Sequence, residues 1–151
     1  VRTIMREHPE IEKEDVDGRS FIDAILEPHR CYYPVLKELF GTGKISGLAH
    51  ITGGGICENL NRILPSGVDA EIDLSSYEIP TIFKLLKKYG EVSDAEMLRT
   101  FNLGAGLVLV ADPGYRSEII SHIEGLGVPC REIGRIVKGS GRVPTTGQFR
   151  W

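Results

Sequence analysis

The sequence is short of the features that decide a protein's class on their own. No apolar run approaches the roughly 20 residues that a membrane helix requires, and no basic-then-apolar leader opens the chain. Cysteine is scarce. Cys31, Cys57 and Cys130 are odd in number, far apart and without CxxC pairing, so neither a disulfide frame nor a zinc site is expected. They read as reduced, structural thiols of a cytoplasmic protein. Basic charge is not in excess: 18 Lys and Arg face 21 Asp and Glu, a net charge of −3. That argues against a general nucleic-acid binder, whose affinity rests on clustered positive charge. Internal repeats, low-complexity runs and Gly/Ser or Pro linkers are all missing. No internal boundary is therefore placed, and 1–151 is expected to be one domain.

What is present is the balance of an ordinary globular chain, 41% hydrophobic and 26% charged over 151 residues. Charge is uneven, however: residues 131–151 carry five basic side chains and one acidic. Residues 144–151 read as a flexible, solvated tail. The chain opens on "VRTIMREHPE", without an initiator Met or a cap, and this suggests a piece of something longer.

Periodicity alternates helices and strands. Residues 1–8 read as the remainder of a helix. Ser20 with Asp23 signals a helix start through "FIDAILE", stopped by Pro28, and Ser93 with Glu96 signals another. "YPVLKELFG" predicts a helix ending at Gly41. "PTIFKLLKKYG" predicts one stopped by Gly90. "YRSEIISHIEGLG" predicts a helix packed by Ile119, Ile120, Ile123 and Leu126. "VDAEIDL" alternates strictly, with Val68, Ala70, Ile72 and Leu74 inward: a strand with one wet face. "GAGLVLVA" is apolar on both faces, as a central strand would be, and "REIGRIV" closes the domain as a strand. The class is α+β, helices layered on a mixed sheet.

The strongest local signal is "GLAHITGGGICENLNRIL", residues 47–64. A strand runs into Gly53, Gly54 and Gly55, which open directly into a helix with Ile56, Leu60, Ile63 and Leu64 on one stripe. Glycines let backbone approach a ligand closely, and a helix start offers N–H groups and partial positive charge to a phosphate or carboxylate. Thr52 adds a hydroxyl and Arg62 a charge. His50 lies at the strand's carboxyl end, where ligand crevices open in α/β sheets. The plainer reading stays open: a tight turn, a satisfied histidine, and a surface ion pair between Glu58 and Arg62. A second cluster, "MLRTFNLGAG", places Arg99 and Asn102 before the apolar strand. It suits an anionic or amide-bearing ligand as well as it suits a helix terminus packed on a strand. "GTGK" at 41–44 lacks the GxxxxGK[ST] spacing of a P-loop, and "GAGLVL" enters a strand rather than a helix. Neither is a nucleotide fingerprint.

"AHITGGGICENLNRILP" followed by "RTFNLGAGLVLV" strongly resembles the C-terminal domain of phosphoribosylformylglycinamidine cyclo-ligase, or AIR synthetase. "ILEPHRCYYPVLKEL" and "EIGRIVKG" match in order, and the likeness covers about residues 1–143. His29 stands where the family usually has threonine. The resemblance implies a layered α/β/α unit, preceded in the family by an N-terminal half that supplies the dimer interface and most of the ATP and Mg2+ contacts. It implies a homodimeric, ATP-dependent enzyme of purine biosynthesis that closes the imidazole ring of formylglycinamidine ribonucleotide, with no nucleic-acid or membrane partner. Carried over by position, His50 would polarise the amide or move a proton. Thr52 and Gly53–Gly55 would take a substrate or ATP phosphate. Glu58 and Asn59 would orient this loop or bind substrate, and Arg99 with Asn102 would complete the cleft. No metal ligand is expected in this chain, and the chain alone is expected to be inactive. The alternative is a non-catalytic relative that uses the same domain to bind a partner.

Overall fold

The computed structural model describes residues 1–151. Helix α1 (Arg2–Glu7) leads through a 3-10 turn into the short hairpin β1 (Asp15–Val16) and β2 (Arg19–Ser20). Helix α2 (Phe21–Ile25) starts where the sequence indicates. Ser20 Oγ accepts from the Asp23 N–H at 3.1 Å and donates to the Asp23 carboxylate at 2.7 Å, which satisfies a donor the helix start would otherwise leave bare. Helix α3 (Tyr33–Leu36) is shorter than expected. Beyond it the chain winds to Gly41 with three-residue spacing, Leu39 N–H on Leu36 and Thr42 N–H on Leu39, a tighter turn than an α-helix.

Strand β3 (Ile45–His50) enters α4 (Gly55–Asn61), and β4 (Val68–Asp73) follows. Ala70, Ile72 and Leu74 are buried as their alternation requires. The outward carboxylates are not idle: Glu71 meets Arg135, and Asp69 meets loop 139–142. Helix α5 (Thr81–Gly90) buries Leu85 and Leu86 against Ile11, Val16 and Phe21. Its stop is not Gly90. Glu91 takes the left-handed cap at φ 46°, while Gly90 gives room to Ile4 of α1, whose Cδ1 would lie 2.7 Å from a Cβ there. Helix α6 (Asp94–Thr100) is capped by Ser93, as its sequence predicts.

Strand β5 (Leu107–Ala111) is covered on both faces. Val108 packs with Ala49, Ile51 and Ile56, and Leu107 and Leu109 pack with the group formed by α3 and α7 (Arg116–Gly125). It is not central, because it pairs only with β3, antiparallel, with His50 opposite Leu107. On α7, Ile119 and Ile123 are buried and Ile120 is half-buried, while Leu126, just past the helix end, is exposed. Strand β6 (Gly134–Lys138) runs antiparallel to β4, and β7 (Thr145–Thr146) parallel to it, so this sheet is mixed. Residues of β5 and β6 line a common apolar groove of about 610 Å³. The class is α+β, with a mixed sheet and helices packed on it.

Residues 144–151 are not a free tail. Pro144 and Thr146 carbonyls accept from Ile72 and Leu74 N–H groups. Phe149 stacks edge-on to Tyr77 and Trp151, and the Lys87 ammonium lies 5.0 Å from the Trp151 ring. The apolar residues in "VPTTGQFRW" outweigh its charge. No helix is long and apolar enough to cross a membrane.

Candidate active site

The glycine turn stands on one buried amide. Asn59, 6% exposed on the first turns of α4, donates through Nδ2 to the carbonyls of Thr52 (3.3 Å), Gly53 (3.3 Å) and Gly55 (2.7 Å). Its Oδ1 accepts from Arg62 at 3.2 Å. Arg62 therefore braces Asn59 instead of pairing with Glu58. The turn's carbonyls are drawn inward. The N–H groups of Gly53, Gly54, Ile56 and Cys57 make no hydrogen bond within the chain.

The three glycines have different reasons to be glycine. Gly54 has φ +97°, and Glu58 lies against it: a Cβ would be 2.5 Å from the Glu58 carboxylate. Gly55 has φ +60° and backs onto the Leu98 carbonyl of α6, leaving no space for a side chain. Gly53 is exposed, has no left-handed φ, and a Cβ there would meet nothing within 4 Å. The fold does not require a glycine at 53.

The second motif comes to the first. The Ile51 N–H donates to the Gly106 carbonyl at 2.9 Å, and the Phe101 carbonyl approaches Gly55. Asn102 is used in shaping this loop: its Oδ1 accepts from the Gly104 N–H at 3.1 Å, and its carbonyl accepts from the Ala105 N–H. That side-chain turn carries Leu103, fully buried, at φ 49°. Arg99 is exposed and forks onto Glu96, three residues earlier, at 2.8–3.1 Å, which holds the Glu96 carboxyl below its usual range. Its guanidinium is directed at its own helix, so any contact with a ligand requires this exposed pair to open.

His50 ends β3 on the exposed side of the turn, beside Thr52. Its Nε2 is 2.7 Å from Nε2 of His29, on the loop between α2 and α3, and Tyr32 packs edge-on to both rings. In sequence His29 is only a departure from a pattern. Twenty-one residues separate the two histidines, and only the path of that loop brings them together. Cys57 adds no nucleophile: burial, with Glu58 beside it, pushes its thiol up. No three His, Cys, Asp or Glu side chains gather as a metal site would require.

The family described as "AIR synthase related protein, C-terminal domain" matches residues 3–145. Proteins named phosphoribosylformylglycinamidine cyclo-ligase are similar to this chain. That of Bacillus subtilis (strain 168) is 41% identical over 123 residues, 82% of this chain and 36% of the relative. That of Bacillus thuringiensis subsp. konkukian is 38% identical over 144 residues, 93% and 42%. That of Thermoanaerobacter pseudethanolicus is 41% identical over 129 residues, 83% and 37%. The chain thus spans well under half the length of these curated relatives. With the strand, glycine turn and α4–α6 contact in place and nearly the whole chain matched, it belongs to the AIR synthase related C-terminal domain family.

Proposed function

We propose that residues 1–151 form one domain and contribute half of the site of an ATP-dependent phosphoribosylformylglycinamidine cyclo-ligase. The observation that carries this reading is Gly53, a glycine that neither backbone angle nor packing demands, beside N–H groups that the fold leaves free. Bare backbone at such a point suits the close approach of a phosphate-bearing ligand, from substrate or ATP. The names of the relatives support the reaction class.

In that reaction ATP phosphorylates the formyl amide oxygen of formylglycinamidine ribonucleotide, turning a poor leaving group into a good one. The amidine nitrogen then attacks the formyl carbon and phosphate departs. This chain's part is to hold and to move protons. The Gly53–Gly55 turn and Thr52 bind phosphate, and Asn59 keeps the turn's carbonyls inward so that its N–H groups face the ligand. Glu58 swings away from Gly54 as the anion arrives. Asn102 shapes the facing loop, Arg99 supplies charge on leaving Glu96, and His50 moves a proton at the ring-closing atoms. Mg2+ accompanies ATP, and no step is assigned to a metal held by this chain, whose residues do not gather to hold one.

The test is ring closure coupled to ADP release, in the protein that joins this chain to the remainder of such an enzyme. His50→Ala should lower the rate about tenfold or more with unchanged folding. Undiminished turnover would remove His50 from the chemistry. The 151-residue chain alone should release no ADP, and robust turnover by it would overturn the shared-site reading.

A further inference from the structure

The Nε2 atoms of His29 and His50 lie 2.7 Å apart, with ring centroids at 4.8 Å and planes inclined by 60°. Two imidazole nitrogens at this separation share one proton: two bare nitrogens would oppose their lone pairs, and two N–H groups would collide. One ring therefore donates through Nε2, and the other accepts there while carrying its own proton on Nδ1. Whichever donates, Nε2 of His50 is engaged by His29, and Nδ1 is the atom left for a ligand. Tyr32 braces the arrangement. Its ring stands edge-on to His29 at 6.3 Å and to His50 at 6.2 Å, and its hydroxyl lies against Gly106, where a Cβ could not fit.

We propose that His29 is a positioning residue for His50: its Nε2 accepts the His50 Nε2–H and so holds His50 with a bare Nδ1, ready to act as a base. The inference rests on the proposed ring closure and names the atom that serves it. As the C–N bond forms between the amidine nitrogen and the formyl carbon, the C–O bond to the departing phosphate breaks. The proton on the attacking nitrogen passes to His50 Nδ1. The resulting imidazolium keeps its Nε2–H on His29, now a charge-assisted hydrogen bond, stronger than before the transfer. A partner that strengthens its bond as charge develops lowers the barrier.

Two-bond proton–nitrogen spectra of the imidazole rings read the tautomers directly in the 151-residue chain, with no need for turnover. The unaltered chain should show His50 protonated on Nε2 and bare on Nδ1, and His29 the reverse. His29→Glu, an acceptor only, should preserve the His50 pattern. His29→Lys, a donor only, should reverse it. In the longer, active protein, His29→Lys should lower kcat about tenfold with KM held within about twofold, and His29→Glu should restore most of the loss. A bare Nε2 on His50 in the unaltered chain, or a His50 pattern indifferent to both variants, would overturn the proposal. So would a reversed tautomer that left kcat unchanged. Failure of the unaltered protein to close the ring would instead strike the proposed reaction, and the spectra would still decide the pairing.

Discussion

Two glycine loops in this molecule are each gripped by one side chain, and the grips have opposite polarity. At 52–55, Asn59 donates to carbonyls, and the N–H groups of Gly53 and Gly54 stay free while that of Gly55 donates to Thr52. At 139–142, Asp69 accepts from the N–H groups of Ser140 (2.7 Å) and Arg142 (2.8 Å), and Gly139 backs so closely onto the carboxylate that no Cβ would fit. The second loop carries its anion within the chain, on β4, and has no further capacity for one. The first has an amide donor underneath and unengaged donors outside. The contrast separates a loop whose N–H groups are filled from within the chain from one that keeps some of them unengaged, although both are written in glycine.

The largest effect should come from filling the most crowded point of the open loop. Gly55→Ala sets a Cβ against the Leu98 carbonyl at a left-handed φ, and should cost about 3 kcal/mol in urea denaturation. A tolerated alanine would mean that α4 and α6 can separate freely. Next, Asn59→Ala removes the buried Nδ2 donor from three carbonyls, of which that of Thr52 keeps the Gly55 N–H, and should cost about 2 kcal/mol. Asn59→Asp should be no better, since a carboxylate cannot donate to them; equal stability of the Asp variant would break the assignment of polarity.

The closed loop should announce itself through pH. Backbone donors, Arg142 first and then Ser140, hold the Asp69 carboxyl below its ordinary value of 3.8. A depressed folded value means that its stabilisation is fully present above the unfolded value and is lost as pH falls through the folded one. Asp69→Asn should remove that part of the acid-side slope in thermal melts recorded below about pH 5. An unchanged slope would show that the loop does not depend on the charge. The smallest effect on stability belongs to Gly53→Ala, under about 0.5 kcal/mol. The same variant should weaken the binding of inorganic phosphate or ATP by calorimetry, and unaltered affinity would make the turn a turn only.

Features decided within a few residues were legible in the sequence. The Ser20 and Ser93 caps and the alternation of β4 depend on near neighbours, and they stand where the pattern puts them. Features decided by remote neighbours were not. Nothing in "GAGLVLVA" says that it has one strand partner rather than two, because pairing is settled by the whole topology. Gly90 looks like a stop by type, yet it serves Ile4, more than eighty residues away in the chain. In the site, the strand–turn–helix frame could be read directly, since glycine spacing and a strand end are local. Asn59 is buried and grips the turn's carbonyls, a contact that its spacing from the glycines permits but does not specify. Arg99 needed only the Glu96 three residues before it to be recognised as an occupied cation. His29 gave no sign of its partner.

The docked segment 144–151 has a practical corollary. Trp151 is the chain's only tryptophan, and it sits against Phe149 with the Lys87 ammonium nearby. Its emission is therefore a built-in gauge of whether β7 and the residues after it hold to β4. Trp151 packs on the same apolar cluster as Leu98 and Phe101, whose carbonyls back onto Gly55, so the signal also registers any disturbance that passes from the glycine turn through α6.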